Sequence, residues 1–152
     1  MSIEARLAEL GITLPEAAAP VAAYKPVVIV GGLAYVSGQL PFIDGALVAG
    51  RLGDTVDVER GYAAARACGL MLLAQVKAAG VPLDDVMQVV KLGAFVSSTD
   101  DFIGQPQVAN GASELMADVF GEIGKHARSA VGVPVLPLNA AVEIDAIFAI
   151  RG

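Results

Sequence analysis

An arginine stands at the start of an apolar segment near the C-terminus, in the stretch GKHARSAVGVPVLP (residues 124–137). The guanidinium of Arg128 stays protonated at ordinary pH, and its planar set of donors fits a carboxylate. Beside a strand that the pattern predicts to be buried, this charge must meet an anion. Two hypotheses stay open here: an ion pair with Glu143 or Asp145 on the neighbouring predicted strand, or a bound ligand that carries a carboxylate.

Two other features could act beside this arginine. Glu143 lies in the predicted strand AAVEIDAIFAI, antiparallel to the strand after Arg128, where its carboxylate could be a general base or orient a water molecule. Glu143 could equally be the internal ion-pair partner of Arg128, or a residue on the solvent-facing side of a strand whose side chains alternate. Ser37 and Gly38 end another predicted strand, where a hydroxyl and backbone N–H groups could face an anion or a carbonyl group. Such pairs are common, and the surroundings lack the G-x-S-x-G pattern of a nucleophile elbow.

Three further side chains have more ordinary explanations. His126, the only histidine, is predicted to be a surface residue beside a lysine, near enough to Arg128 to tune a site. Cys68, the only cysteine, lies among Ala and Leu in a helical pattern and should behave as a small hydrophobe. Tyr24 could bring its hydroxyl to a pocket, although packing explains it better. One histidine and one cysteine, far apart in the sequence, predict neither a zinc site nor a disulfide, and we expect no cofactor.

The composition limits the class of protein. The 152 residues fit one domain, with residues 1–20 as an N-terminal helix and lead-in. Hydrophobic residues make up 55% and charged residues 17%, the latter below the usual ~25%. So few charges favour an oligomer whose subunits cover part of the surface. The net charge of -6 and the absence of a basic cluster argue against nucleic acid as a partner.

The sequence also predicts where the protein works. The longest apolar stretch near the middle, residues 67–74, is far shorter than the ~20 residues that a bilayer requires. The N-terminus has no signal-peptide pattern, and a single cysteine fits a reducing compartment. We therefore expect a cytoplasmic protein without a membrane partner.

Periodicity and capping signals predict the elements that position these residues. They predict two early strands joined at glycines, a late pair of strands, and helices between them. In chain order, the predicted elements are a helix over 3–10 capped by Ser2, strands meeting at Gly31-Gly32, a turn at Asp44-Gly45, a helix from Asp57 to Gly80 with Val58 and Tyr62 opening its inward stripe, a strand over 86–98, a helix over 107–120, and strands over 129–137 and 140–150. The order indicates an α+β fold, a mixed sheet with two main helices on one face. A partner subunit should cover the other face.

Four segments together resemble the RidA family, also called YjgF/YER057c/UK114: YKPVVIVGGLAYVSGQLP, VVKLGAFVSSTDDF, ARSAVGVPVLP and VEIDAIFAI. The match spans roughly residues 24–150 and is specific, because order, spacing and the R-S-x-V…LP…VEI ending occur together. The N-terminal helix and lead-in indicate a longer, less characterised branch. The resemblance implies a chorismate-mutase-like fold, assembled as a homotrimer with clefts between subunits. It also implies hydrolysis of reactive enamine or imine acids, such as 2-aminoacrylate, to 2-keto acids and ammonia.

The resemblance assigns roles to individual residues. It implies that Arg128 grips the substrate carboxylate and that Glu143 holds the attacking water. The family's cleft tyrosine falls on Tyr24, and its strand-end serine and glycine fall on Ser37 and Gly38.

Other positions of the implied site are less regular. The helix asparagine falls on Asn110, although four extra residues separate it here from the preceding DF element. The backbone N–H near Ser129 would help to hold the carboxylate. Better-studied deaminases carry Pro-x-Arg-Ser-Cys, whereas Ala130 here takes the place of the cleft cysteine and His126 that of the proline. The substrate range could therefore differ.

Three functions are compatible with these features. An imine deaminase would use both Arg128 and Glu143. A non-catalytic trimer that binds a small carboxylate, as a sensor or scaffold, would keep Arg128 but need no general base. A ribonuclease, suggested by names attached to the family, is disfavoured by the acidic charge and single histidine. Full pairing of Arg128 with Glu143 inside one subunit would instead indicate a structural role.

Overall fold

A mixed five-stranded sheet carries two long helices on one face in the computed structural model, which describes residues 1–20 and 23–152. The elements follow in chain order: α1 (Ile3–Glu9), β1 (Val27–Val30), β2 (Leu33–Gln39), β3 (Phe42–Ile43), β4 (Ala46–Leu47), α2 (Val58–Ala78), β5 (Val86–Ser97), α3 (Gln105–Phe120), β6 (Ala127–Val133) and β7 (Val142–Ile150). The sheet order is β1-β2-β7-β5-β6, and β3 pairs with β4 separately. The predicted α+β class with two main helices on one face is confirmed.

Helix starts follow the capping residues that the sequence indicates. The Ser2 hydroxyl accepts a hydrogen bond from the N–H of Ala5 at 3.0 Å, and α1 begins at the next residue after this cap. The carboxylate of Asp57 accepts from the N–H of Arg60 at 2.8 Å and caps α2. Each cap satisfies an N–H group that lacks a partner within its helix.

The two predicted turns form tight hairpins. Gly31 and Gly32 join β1 to β2 with φ angles of 60° and 75°. Asp44 and Gly45 join β3 to β4 with φ angles of 51° and 79°. Two successive residues with positive φ are the geometry of a type I′ turn, which glycine and aspartate tolerate best.

The inward stripe predicted for α2 is correct except in its first turn. Ala65, Leu72 and Val76 are fully buried. Val58 is 42% exposed, and Tyr62 is half-buried and donates its hydroxyl to Glu114 of α3. Tyr62 thus faces α3 rather than the sheet, which periodicity within one helix cannot reveal.

The crossing of α2 and α3 depends on a glycine without a side chain. A Cβ at Gly111 would overlap the carbonyl oxygen of Tyr62 and lie 3.0 Å from the backbone N of Arg66. At Gly69, in the same interface, a Cβ would instead meet the end of the Leu115 side chain at 2.9 Å. A side-chain end can move, whereas helix backbone cannot move without separating the two helices.

We therefore expect unequal effects from matched substitutions in this interface. Gly111→Ala should lower the free energy of unfolding by about 3 kcal/mol, the upper end of the usual cost of overpacking. Gly69→Ala should cost about 1 kcal/mol or less, because the alanine also favours the helix. Urea unfolding followed by circular dichroism measures both, and equal effects would contradict the packing described.

The strand order corrects the predicted relation between the last two strands. β6 pairs in parallel with β5, and β5 pairs antiparallel with β7, so β5 lies between them. The intervening chain crosses the end of β5, where the N–H of Ser97 donates to Ala141 and that of Ser98 donates to Val133. Pro134 and Pro137 lack the N–H groups that a continued ladder would need. The prediction that Glu143 and Asp145 lie on the strand next to Arg128 is wrong.

The N-terminal segment packs across the helical layer. Leu7 of α1 is buried, and the Nε of Arg6 donates to the carbonyl oxygen of Asp118 on α3 at 2.8 Å. Further along, the Gln75 amide of α2 donates to the carbonyl oxygen of Ala18 at 2.8 Å. Within the described residues, no helix has the length and apolar character needed to span a membrane.

Candidate active site

Arg128 lies in β6 on the side of the sheet that faces α3. In the β5–β6 ladder it is opposite Leu92, which is buried beneath the helices. Its Nη1 donates to the Oδ1 of Asn110 at 2.8 Å and to the hydroxyl oxygen of Ser113 at 3.2 Å. Paired residues in a ladder point to the same face, so the register explains why the guanidinium reaches the helix. The structure thus brings Arg128 and the predicted Asn110 together.

Arg128 forms no ion pair with any carboxylate among the described residues. The partners of Nη1 are both neutral oxygens, and no contact with a protein acceptor is found for Nε or Nη2 within the described part of the chain. The hypothesis of an internal pair with Glu143 or Asp145 is therefore wrong for this chain. The guanidinium keeps its full charge and three N–H donors for another partner.

His126 is a half-buried member of this cluster. The prediction that it is a surface residue is therefore wrong. Its Nε2 lies 2.8 Å from the Ser113 hydroxyl, and its Nδ1 lies 2.7 Å from the carbonyl oxygen of Gly124. Sequence reasoning missed Ser113 altogether. The available signal was its position three residues after Asn110, since residues at that spacing share one face of a helix.

Glu143 belongs to a second group of predicted residues, at the end of β2. The β2–β7 register shifts between Val36 and Gln39, so Ser37 and Gly38 form a bulge in β2. A Cβ at Gly38 would overlap the carboxylate of Glu143, which shows how closely the bulge and the carboxylate approach. Bulges often redirect side chains beside active sites. The predicted Ser37, Gly38 and Glu143 therefore do lie together.

The surroundings of Glu143 favour its neutral form. Burial raises the pKa of the Glu143 carboxyl group above its usual value, and the nearby charge of Asp145 adds to this effect. Burial likewise raises the pKa of Asp145, while a hydrogen bond from the Gly93 backbone and the charge of Lys91 oppose the rise. A carboxyl group with a raised pKa accepts a proton more readily than an ordinary carboxylate and can return it in a later step.

The raised pKa of Glu143 gives a testable dependence of stability on pH. Between its ordinary and its raised pKa, the folded chain binds more protons than the unfolded chain, so the free energy of unfolding falls as pH rises. We expect Glu143→Gln to raise the Tm near pH 7, and this gain to shrink at about pH 4, where both states of the wild-type carboxyl become protonated. Thermal unfolding at the two pH values measures this difference; a constant or inverted difference would contradict the raised pKa.

The two groups lie on opposite faces of the sheet within one chain. Along β7 burial alternates strictly, with Val142, Ile144 and Ala146 beneath the helices and Glu143 and Asp145 on the opposite side. Arg128 shares its face with Leu92 and Ala146, through the paired registers of β6, β5 and β7. Arg128 and Glu143 therefore cannot act on one small molecule within a single chain.

The remaining predicted residues divide between these groups. Ala130 packs against the core on the side of Arg128, whereas Ser129 is exposed on the opposite face. Tyr24 is 48% exposed ahead of β1. Its segment lies beside the bulge, because the N–H of Ser37 donates to the carbonyl oxygen of Pro26 at 2.9 Å.

A cavity of about 760 Å³ lies elsewhere, between the N-terminal lead-in, the β3–β4 hairpin and α2. None of the predicted site residues lines it. In the described part of the chain, no three His, Cys, Asp or Glu side chains come together as possible metal ligands.

Comparison with known proteins identifies the family. A family model described as "YjgF/chorismate mutase-like, putative endoribonuclease" matches residues 4–150. The chain belongs to the YjgF/RidA family. The resemblance seen in the sequence segments is thereby confirmed, and so is the chorismate-mutase-like fold that it implies.

Individual members of the YjgF/RidA family differ in how they are named. This chain is 52% identical to protein TCP17 of Trypanosoma cruzi, over 95% of this chain and 92% of that protein. It is 32% identical to a 2-iminobutanoate/2-iminopropanoate deaminase of Dermatophagoides farinae, over 92% and 95% of the two chains. A crystal structure of a protein of unknown function from Agrobacterium tumefaciens is 52% identical and superimposes with a TM-score of 0.91, covering 98% and 92% of the chains.

Proposed function

We propose that this protein hydrolyses reactive enamine and imine acids, of the 2-aminoacrylate type, to 2-keto acids and ammonia in clefts between the subunits of a homotrimer. The observation that carries the proposal is the division of the site. One chain holds a free guanidinium edge at Arg128 and, on the other sheet face, a carboxylate with a raised pKa at Glu143. Among the described residues, Arg128 can bind a carboxylate but pairs with no carboxylate that could act as a base, and Glu143 can act as a base but pairs with no cation that could hold a carboxylate. A second copy of the chain would therefore complete the site.

The apolar open face of the sheet supports assembly with further copies. The side of β7 that carries Glu143 also carries Ile147 and Ala149, and all three keep partial exposure. Beyond these, exposed apolar side chains include Val28 and Tyr35, opposite each other in the β1–β2 ladder. Large apolar patches of this kind favour burial against another subunit. A homotrimer would cover them and bring Arg128 of one subunit towards Glu143 of the next.

The proposed reaction needs only orientation and proton transfer. Arg128 would bind the substrate carboxylate through two parallel hydrogen bonds, with backbone N–H groups near Ser37 and Ser129 as further donors. Glu143 would accept a proton from water as the oxygen adds to the imine carbon. For a protonated imine, it would return that proton to the nitrogen of the carbinolamine and take up the hydroxyl proton as the C–N bond breaks, so that ammonia leaves and the C=O bond of the keto acid forms. Tyr24 would form part of the pocket wall.

Release of keto acid provides the direct test. An amino-acid oxidase or a dehydratase generates the imine in situ, and the rate of keto-acid release is measured with and without this protein. We expect faster release across several amino acids, by a factor within the ~10²–10⁴ that general acid–base help supplies. Sedimentation velocity on the same sample should give a trimer.

Failure of this test points to a different function. No acceleration with any amino acid, combined with measurable binding of pyruvate in calorimetry, would replace the deaminase by a non-catalytic carboxylate-binding protein. A monomer that still accelerates release would contradict the inter-subunit cleft and leave the chemistry standing.

A further inference from the structure

We propose that His126 and Ser113 are positioning residues that hold Arg128 so that its Nε/Nη2 edge meets the substrate carboxylate. Neither side chain needs to touch the substrate; both act through the guanidinium. The inference rests on the proposed function for the nature of the ligand, but its geometry depends only on contacts within one chain. We call His126, Ser113 and Arg128 the relay.

The hydrogen bonds of the relay have one consistent direction when His126 is neutral. The carbonyl oxygen of Gly124 can only accept, so the Nδ1 of His126, at 2.7 Å, carries the proton. The free Nε2 then accepts from the Ser113 hydroxyl at 2.8 Å. The Ser113 oxygen in turn accepts from the Nη1 of Arg128 at 3.2 Å, and arginine can only donate. Each donor in this chain therefore has one acceptor.

The relay determines which edge of Arg128 stays available. Nη1 carries two hydrogens, and the oxygens of Asn110 and Ser113 accept both. The remaining donors are the single hydrogen of Nε and the two of Nη2. Nε–H and one Nη2–H are parallel and match the two oxygens of a carboxylate. The geometry therefore favours a side-on, bidentate carboxylate and excludes an approach through both terminal nitrogens.

The neutral side chains that contact the Arg128 guanidinium matter for ligand binding as much as the direction of the hydrogen bonds. Asn110 and Ser113 orient the guanidinium without cancelling its charge. A carboxylate in the place of Ser113 would hold Arg128 as firmly but would compete with the substrate for it. Neutral partners thus combine a fixed orientation with full attraction for an anion.

The acceptor of His126 lies in a closely packed part of the fold. Gly124 is buried, and a Cβ there would overlap the carbonyl oxygen of Met116 in α3. The acceptor of His126 is thereby packed against the helix that also carries Asn110 and Ser113. His126 is thereby fixed to the same helix that carries Ser113, so loss of one of these hydrogen bonds should change the position of the Arg128 guanidinium.

A double-mutant cycle tests the relay. Ser113→Ala removes the middle hydroxyl, His126→Phe keeps a ring but removes the acceptor, and the third variant combines both. KM and kcat come from keto-acid release, and the dissociation constant for pyruvate comes from calorimetry. Each single variant should raise KM and the dissociation constant by about tenfold, with kcat within about twofold. The double variant should be no worse than the more affected single variant, because both break the same chain of contacts.

Two further variants separate positioning from general damage to the fold. His126→Gln keeps an acceptor near the position of Nε2 and should restore KM to within about threefold of wild type. Lys125→Ala removes an exposed neighbour that pairs with Glu122 at 3.0 Å, and it should change neither constant. Multiplicative effects in the double variant, or wild-type constants in both single variants, would overturn the relay.

The cycle also distinguishes failure of the relay from failure of the proposed function. If wild type shows no turnover but pyruvate binding is weakened non-additively, the relay stands and the deaminase does not. If turnover occurs and the variants leave KM and pyruvate binding unchanged, the deaminase stands and the relay does not. Pyruvate binding that is absent in wild type would overturn the relay, since Arg128 would then not be held for a carboxylate.

Discussion

Arg128→Ala is expected to lower kcat/KM for keto-acid release by about 10³-fold and to remove detectable pyruvate binding. Among the described residues no carboxylate pairs with the guanidinium, and its partners Asn110 and Ser113 are neutral. Its loss removes both the charge and the two parallel donors that would hold the substrate. Asn110 and Ser113 are half-buried, so water can satisfy them and the assembled protein should persist.

Two matched variants make the expected loss at Arg128 specific. Arg128→Lys keeps a positive charge without the planar fork, so it should lie between wild type and alanine in affinity. Arg151→Ala removes an exposed arginine whose Nη1 lies 3.5 Å from Asp85, and it should behave as wild type. Unchanged turnover in Arg128→Ala would sink the assignment of this residue as the carboxylate anchor.

Glu143→Gln is expected to lower kcat by about 10²- to 10⁴-fold, the usual contribution of a general acid–base group. Glutamine has nearly the same shape, so the dissociation constant for pyruvate should stay within about twofold of wild type. Asp145→Asn is the matched control, because Asp145 lies on the same face of β7 and burial raises its pKa too. Keto-acid release by the asparagine variant should fall far less than in Glu143→Gln, because the charge of Asp145 is the smaller of the two causes that raise the pKa of Glu143. Equal losses in both variants would show that the charge of the face matters and not Glu143 itself.

Mixing the two inactive proteins tests whether the site is shared between subunits. If Arg128 of one chain works with Glu143 of another, some sites in a mixed trimer of Arg128→Ala and Glu143→Gln chains contain both native residues. Random assembly from equal amounts gives about a quarter of the sites this composition, so about a quarter of wild-type activity should return. The mixed trimers are made by unfolding the two variants together and letting them reassemble. Each variant alone, treated in the same way, serves as the control. Mixed trimers with no regained activity would contradict the shared site.

Local chemistry explains why many elements could be predicted. Ser2 and Asp57 cap their helices because a side-chain oxygen next to an apolar periodic run satisfies N–H groups within the same segment. Gly31-Gly32 and Asp44-Gly45 turn the chain because positive φ angles are accessible at those positions. In β7, alternation of side chains placed Ile144 and Phe148 in the core. Such features depend on residues a few positions apart.

Contacts between distant segments escaped the same reasoning. The sequence suggested that the strand after Arg128 and the strand of Glu143 are neighbours, but β5 separates them. His126 was expected at the surface, yet it contacts Ser113, thirteen residues earlier, because α3 lies over the start of β6. Tyr62 was expected over the sheet, and it contacts Glu114 across a helix pair.

The sequence by itself determined the fold class, the family, the helix caps and turns, and the residue types of the candidate site, because local pattern and motif order carry that information. Only the tertiary structure decided the strand order, and with it the placement of Arg128 and Glu143 on opposite sheet faces. It also showed that Arg128 is held by Asn110 and Ser113. Side-chain alternation specifies two faces for each strand, but which strands pair, and in which register, is set by packing between segments far apart in the chain.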